Sequence, residues 1–241
     1  MKPSDTSLIV GAGPGLGAAL ARRFVRAGMN VALAARNFGR LAEFASELGG
    51  KARAYVCDAT DERAVRQLFT EVARDFGAPR LVAFNAGAFV RKSLLDTTAG
   101  EFERCWQTAC LGGFLVGREA VRAMLATPGG GRHCGTIIFT GATASLRGGA
   151  QFHNLAVGKA GLRALAQSMA REFQPQGIHV AHVVIDGQIR NDARPGYSAA
   201  ERGEDALLDP DAIAETYYQL HLQPPSAWTL ELDLRPHVEK F

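Results

Sequence analysis

The chain has 241 residues, 47% hydrophobic and 21% charged, the composition of a folded globular protein long enough to bury a core without staples. Its net charge of +3 comes from Lys and Arg scattered along the sequence, with no block of like charge and no basic stripe interleaved with aromatics, which argues against a nucleic-acid partner. No apolar run approaches the ~18 residues of a membrane span, and the first seven residues lack the apolar centre of a secretion signal, so a cytoplasmic protein with no membrane partner is expected.

Short runs rich in Val, Ile and Leu alternate with longer stretches of helical period, the pattern of a parallel sheet with helices on both faces. Strands are expected at 8–10, 30–34, 52–56, 81–85, 136–140, 179–185 and 229–234. Helices are expected near 16–27, 40–48, 61–76, 101–125, 154–173 and 211–221, each flanked by Gly, Pro, Asp or Thr. With no repeat and no linker, residues 1–241 read as one α/β domain, a Rossmann-type doubly wound sheet of about seven parallel strands. Thr127-Pro128-Gly129-Gly130-Gly131 reads as a surface loop, and 186–209 as a long polar stretch following the sixth strand. Residues 228–236 alternate like a half-exposed edge strand. The four cysteines, Cys57, Cys105, Cys110 and Cys134, have neither metal-ligand nor framework spacing, so reduced thiols and no metal site are expected.

Directly after the first strand, Gly11-Ala12-Gly13-Pro14-Gly15-Leu16-Gly17 opens a helix, the context a phosphate-binding turn requires. One glycine lets the chain reverse, another lets backbone approach a pyrophosphate, and the last allows close helix packing. At the end of the second strand, where a carboxylate would meet a ribose 2′-hydroxyl, the chain has Arg36-Asn37. A guanidinium pairs with a 2′-phosphate that an acid would repel, so the expected cofactor is NADP(H) rather than NAD(H). Asp58-Ala59 ends the third strand, where a carboxylate can accept from the adenine amino group, and Asn85-Ala86-Gly87 ends the fourth, where small residues admit the adenosine ribose.

These features in this order resemble the short-chain dehydrogenase/reductase family over nearly the whole chain: the Gly11-x3-Gly15-x-Gly17 turn, Asp58, Asn85-Ala86-Gly87 and Lys159 stand at that family's separations. The resemblance implies an NAD(P)-dependent oxidoreductase moving a hydride to or from a small carbonyl or alcohol. It also implies a homodimer or homotetramer built through the 101–125 and 154–173 helices, and a substrate lid at about 186–209. Lys159 would hold the nicotinamide ribose, and Gly187 with Ile189 would pass the carboxamide.

The resemblance fails at the proton-transfer groups. The family's tyrosine, four residues before the lysine, is Leu155, and its serine, thirteen residues earlier, is Ala142. The spacing of enoyl reductases, seven before the lysine, gives Phe152, and the supporting asparagine falls at Ala109 or Cys110. Candidates to stand in are Thr143, adjacent to the lost serine; His153, with a pKa suited to neutral pH; and Tyr197, within the polar lid beside Arg190, Asp192 and Arg194. Tyr55, Tyr217 and Tyr218 read as structural, and Asp186 replaces the family's proline before Gly187. The alternative is a protein that binds NADP(H) or a metabolite through the same pocket without turnover.

Overall fold

The structure, a computed structural model, describes residues 5–127, 133–191, 194–203 and 205–239. Seven strands, β1 (Thr6–Val10), β2 (Asn30–Ala35), β3 (Ala52–Val56), β4 (Pro79–Phe84), β5 (Gly135–Thr140), β6 (Ile178–Ile185) and β7 (Glu231–Leu234), form one parallel sheet in the order β3-β2-β1-β4-β5-β6-β7. All residues of β1, β5 and β6 are buried, which is why their apolar residues do not alternate with exposed polar ones.

The helices are α1 (Leu16–Arg26), α2 (Phe38–Glu47), α3 (Glu62–Phe76), α4 (Ala99–Trp106), α5 (Gly112–Leu125), α6 (His153–Phe173), α7 (Ala199–Arg202) and α8 (Pro210–Leu222). Their starts follow local chemistry. The Asp61 carboxylate accepts from the Arg63 and Ala64 amides to begin α3, Thr98 and Glu101 form a reciprocal capping box on α4, and Asp209 with Pro210 begins α8. One core lies between the sheet and α3, α5 and α6, where Val72, Val116, Phe84, Phe139 and Leu162 pack; the other lies beneath α1, α2 and α8, around Phe24, Leu33, Ile138 and Tyr217.

The expected helix over 101–125 is two helices joined by a π-turn at Gln107–Leu111, which adds a residue to the turn and re-aims Thr108 toward the cleft. The last strand begins at Glu231 rather than at 229, and the polar stretch contains α7 and a parallel bridge between Ile189 and Leu208. Residues 128–131 of the expected glycine loop, and Asp192, lie outside the described residues. Among the described residues no helix is long and apolar enough to cross a membrane, and no cluster of His, Cys, Asp or Glu could hold a metal ion.

Candidate dinucleotide site and active site

The strand order reverses between β1 and β4, and a crevice opens there beyond the carboxyl ends of the strands. It encloses about 310 Å³ and is lined by Gly11, Arg36, Asn37, Asp58, Ala59, Asn85, Ala86 and Gly87, so most of the residues expected at a dinucleotide site meet in one cleft. Cys57 and Thr108, which belong to no motif, also line its walls.

The glycines of the turn divide their work. Gly11 has φ +86°, and a Cβ there would come 2.4 Å from the Ala86 nitrogen, so the turn sits directly on the end of β4. Asn85 fastens the same contact, donating from its side-chain amide to the Gly11 carbonyl at 3.1 Å. At Gly17 a Cβ would lie 2.8 Å from Ala12 Cα, whereas at Gly13 it would meet nothing within 4 Å. Gly11 and Gly17 are therefore packing glycines, and Gly13 leaves backbone open to the groove. Gly15 caps α1 with no side-chain acceptor and no acid in the first turn, so the amides and the positive dipole end of α1 are available to an anion.

Arg36 is exposed at the end of β2 and makes no hydrogen bond or ion pair among the described residues. Its charge and, more strongly, the Thr60 amide hold the Asp58 carboxyl below the usual range; Thr60 donates to it through both its amide and its hydroxyl, at 2.9 and 2.8 Å. Arg40, on the first turn of α2, lines an adjoining groove of about 490 Å³ with Gly13, Asn37 and Phe44. The sequence reading passed over Arg40; its only signal was a second arginine four residues after Arg36.

At the far end of the cleft, Lys159 on α6 is 6% exposed and donates to the Thr140 carbonyl at 2.7 Å, and burial pushes its pKa down to about 8. It stands beside Gly87, where a Cβ would be 3.6 Å from the ammonium. The four tyrosines do not supply a free phenol next to it: Tyr55 donates to Asp75, Tyr217 is buried against the Thr140 hydroxyl at 2.8 Å, and Tyr218 lies under Arg23. Tyr197 lies under Arg194 at 3.9 Å and lines a separate recess with Gly15, Leu16, Gly187, Ile189 and Asn191. Beside that recess Leu208 exchanges backbone hydrogen bonds with Gln188 and Arg190, so the Ile189 amide faces away from the pair.

His153 is not brought to Lys159. Its Nε2 is within 3.0 Å of the Thr97 hydroxyl and its ring stacks on Phe102, at the outer start of α6. Ala109 packs against Gly158, with a separation of 3.0 Å from a Cβ built there, so no amide side chain occupies that place. Thr143 is half-buried, and its hydroxyl donates to Asp186 Oδ1. Asp186, 5% exposed, is paired through Oδ2 with Arg235 at 2.9 Å. The sequence placed Asp186 and Thr143 near the site but gave no sign of Arg235, which arrives from the end of β7.

The sequence pattern described as short chain dehydrogenase matches residues 5–198. The chain belongs to that family. It is 34% identical over 179 residues to a short-chain dehydrogenase/reductase of Armillaria gallica, covering 72% of this chain and 67% of that protein. A 3-oxoacyl-[acyl-carrier-protein] reductase of Salmonella typhimurium is 28% identical over 196 residues, 81% of this chain and 78% of the relative. The solved structure of a short-chain dehydrogenase from Rhodopseudomonas palustris superposes with TM-score 0.80 at 40% identity, covering 97% of this chain and 99% of the other. The family is one of NAD(P)(H)-binding oxidoreductases, and the cleft fits such a dinucleotide on its own geometry: open backbone at Gly13, an uncapped helix start at Gly15, and a carboxylate at Asp58.

Proposed function

We propose that the protein is an NADP-dependent oxidoreductase acting on a small carbonyl or alcohol substrate through a divergent catalytic site that lacks the family's tyrosine and serine. The observation that carries the cofactor choice is Arg36, an exposed guanidinium without an internal partner at the ribose end of the crevice, with Arg40 one turn along α2. Gly13, Gly15 and Leu16 hold the phosphates on a turn that Gly11 and Gly17 pack in place, Asp58, Ala59 and Asn85-Ala86-Gly87 hold the adenosine half, and Lys159 holds the second ribose. A bound nicotinamide supplies or takes up the hydride; the protein's own groups bind and orient. Lys159 keeps a donor buried beside Gly87, Thr143 presents an oxygen, and Gly187, Ile189 and Tyr197, which share one recess, wall the substrate end.

The remaining expectations belong to the same reading. Residues 1–241 act as one domain in the cytoplasm, and copies associate as a homodimer or homotetramer through α4, α5 and α6, whose Trp106, Phe114 and Val157 are exposed at 38%, 42% and 44%. A second reading, a sensor that binds NADP(H) without turning over, is favoured by Leu155 and Ala142, since loss of a general acid typically costs a factor of ~10²–10⁴.

The deciding experiment measures NADPH and NADH affinities by fluorescence titration and then follows NADPH absorbance against a panel of aldehydes, ketones and enones, and NADP+ reduction against alcohols. Tighter NADPH binding with turnover on any of them supports the enzyme; tight binding with none supports the sensor; no dinucleotide binding removes both.

A further inference from the structure

Three side chains from three strand ends fix the hydrogen-bond polarity of the Thr143 hydroxyl. Thr143 follows β5, Asp186 follows β6 and Arg235 follows β7, and they form one chain of contacts. Arg235 holds Asp186 Oδ2 at 2.9 Å, and a carboxylate paired with a guanidinium is ionised and can only accept. Its other oxygen, Oδ1, takes the proton of the Thr143 hydroxyl. A threonine hydroxyl has one proton and two lone pairs, so with its proton committed to Asp186 its oxygen is left as an acceptor. Thr143 itself is only half-buried, unlike Asp186, and it follows the carboxyl end of β5, the side of the sheet on which the crevice opens.

The two positions where the family carries its hydroxyls supply no donor side chain. Leu155 and Ala142 carry no hydroxyl, the Ala142 amide is bonded to Ser145 Oγ at 3.1 Å, and Lys159 is buried against the Thr140 carbonyl. A ketone or aldehyde oxygen placed against Thr143 would set acceptor against acceptor. An alcohol would donate its O–H to the same atom.

We infer that Thr143 accepts a hydrogen bond from the hydroxyl of a hydroxylated substrate, and that the Asp186–Arg235 pair makes the site select an alcohol over the matching carbonyl compound. This deepens the proposed function and rests on its placement of the substrate. Asp186 and Arg235 are positioning residues: they act through the Thr143 hydroxyl.

The test uses matched pairs, cyclohexanol with cyclohexanone and 1-phenylethanol with acetophenone, titrated by ligand-observed NMR into the protein with and without NADP+, while dinucleotide affinity is measured separately. The wild type should hold each alcohol about tenfold more tightly than its ketone, the size expected from one hydrogen bond made against one acceptor left facing another. Thr143→Ser should keep that preference and Thr143→Val should abolish it. Asp186→Asn offers an amide donor to Thr143, turns the hydroxyl proton outward, and should shift the ratio toward the ketone. Arg235 keeps its ion pair with Asp233 in that variant, and should Asp186→Asn still fail to fold, the Thr143→Ser and Thr143→Val pair decides alone. Equal or better ketone binding by the wild type, or a preference that survives Thr143→Val, overturns the inference even if NADP+ binds. A hydroxyl preference in a protein that binds no dinucleotide would instead uphold it and overturn the proposed function.

Discussion

The Asn85 side chain is bonded to the Gly11 carbonyl, and this joins the phosphate turn and the end of β4 into a single rigid piece. Gly11→Ala would force a methyl into the Ala86 backbone from a left-handed φ, and a loss of about 2–4 kcal/mol is expected by denaturant unfolding. Gly13→Ala meets no atom of the protein, so stability should stay within about 1 kcal/mol while dinucleotide affinity falls. Equal stability losses for the two variants would contradict this division of roles.

The two arginines on and after β2 should act together on the 2′-phosphate. Arg36→Asp should weaken NADPH by tenfold or more and leave NADH within a few-fold, and Arg40→Ala should do the same to a smaller degree. An equal loss for both dinucleotides in a fluorescence titration would mean that neither side chain touches that phosphate.

Much of this geometry was legible in the sequence because it is local. The glycine turn, Arg36, Asp58 and Asn85-Ala86-Gly87 each follow a strand, and a strand end beside a crevice is a position that a linear reading can find. What escaped was set by partners distant in the chain. The π-turn at Gln107–Leu111 has no composition of its own, and the Asp186–Arg235 pair joins residues from different strands. His153 carries a side chain able to transfer protons, but the helix it begins turns it toward Thr97 rather than Lys159.

Two buried histidines give the fold an acid limit. Burial pushes His182 and His221 down to about 4, despite Glu231 beside His182, so both are neutral in the folded protein while their unfolded counterparts bind protons near 6.5. The unfolded state therefore holds more protons between about pH 6.5 and 4. Stability is full above that window and falls as the pH drops through it, with each histidine contributing up to ~1.4 kcal/mol per pH unit. His221→Gln, which can keep a bond to the Thr136 hydroxyl, should flatten the profile in urea melts across this range. An unchanged slope would mean that His221 is charged in the folded state.

Restoring the family's proton-transfer groups is a direct check on what the cleft has kept. Leu155→Tyr with Ala142→Ser places a phenol one helical turn before Lys159, whose charge would lower the phenol's pKa. Carbonyl reduction with NADPH should rise by ~10²-fold or more in kcat. No gain, with dinucleotide affinity unchanged, would mean that the substrate wall itself has moved away from the family's chemistry.

β7 is the outermost strand, paired on one side only, and it is the strand that delivers Arg235 to Asp186. Such an edge is the least anchored part of a sheet and the first to open in native-state fluctuations. The charge balance around Asp186 is thus hostage to the periphery: whatever loosens or clasps the margin of the sheet alters the pairing of a buried carboxylate, with no ligand needing to enter.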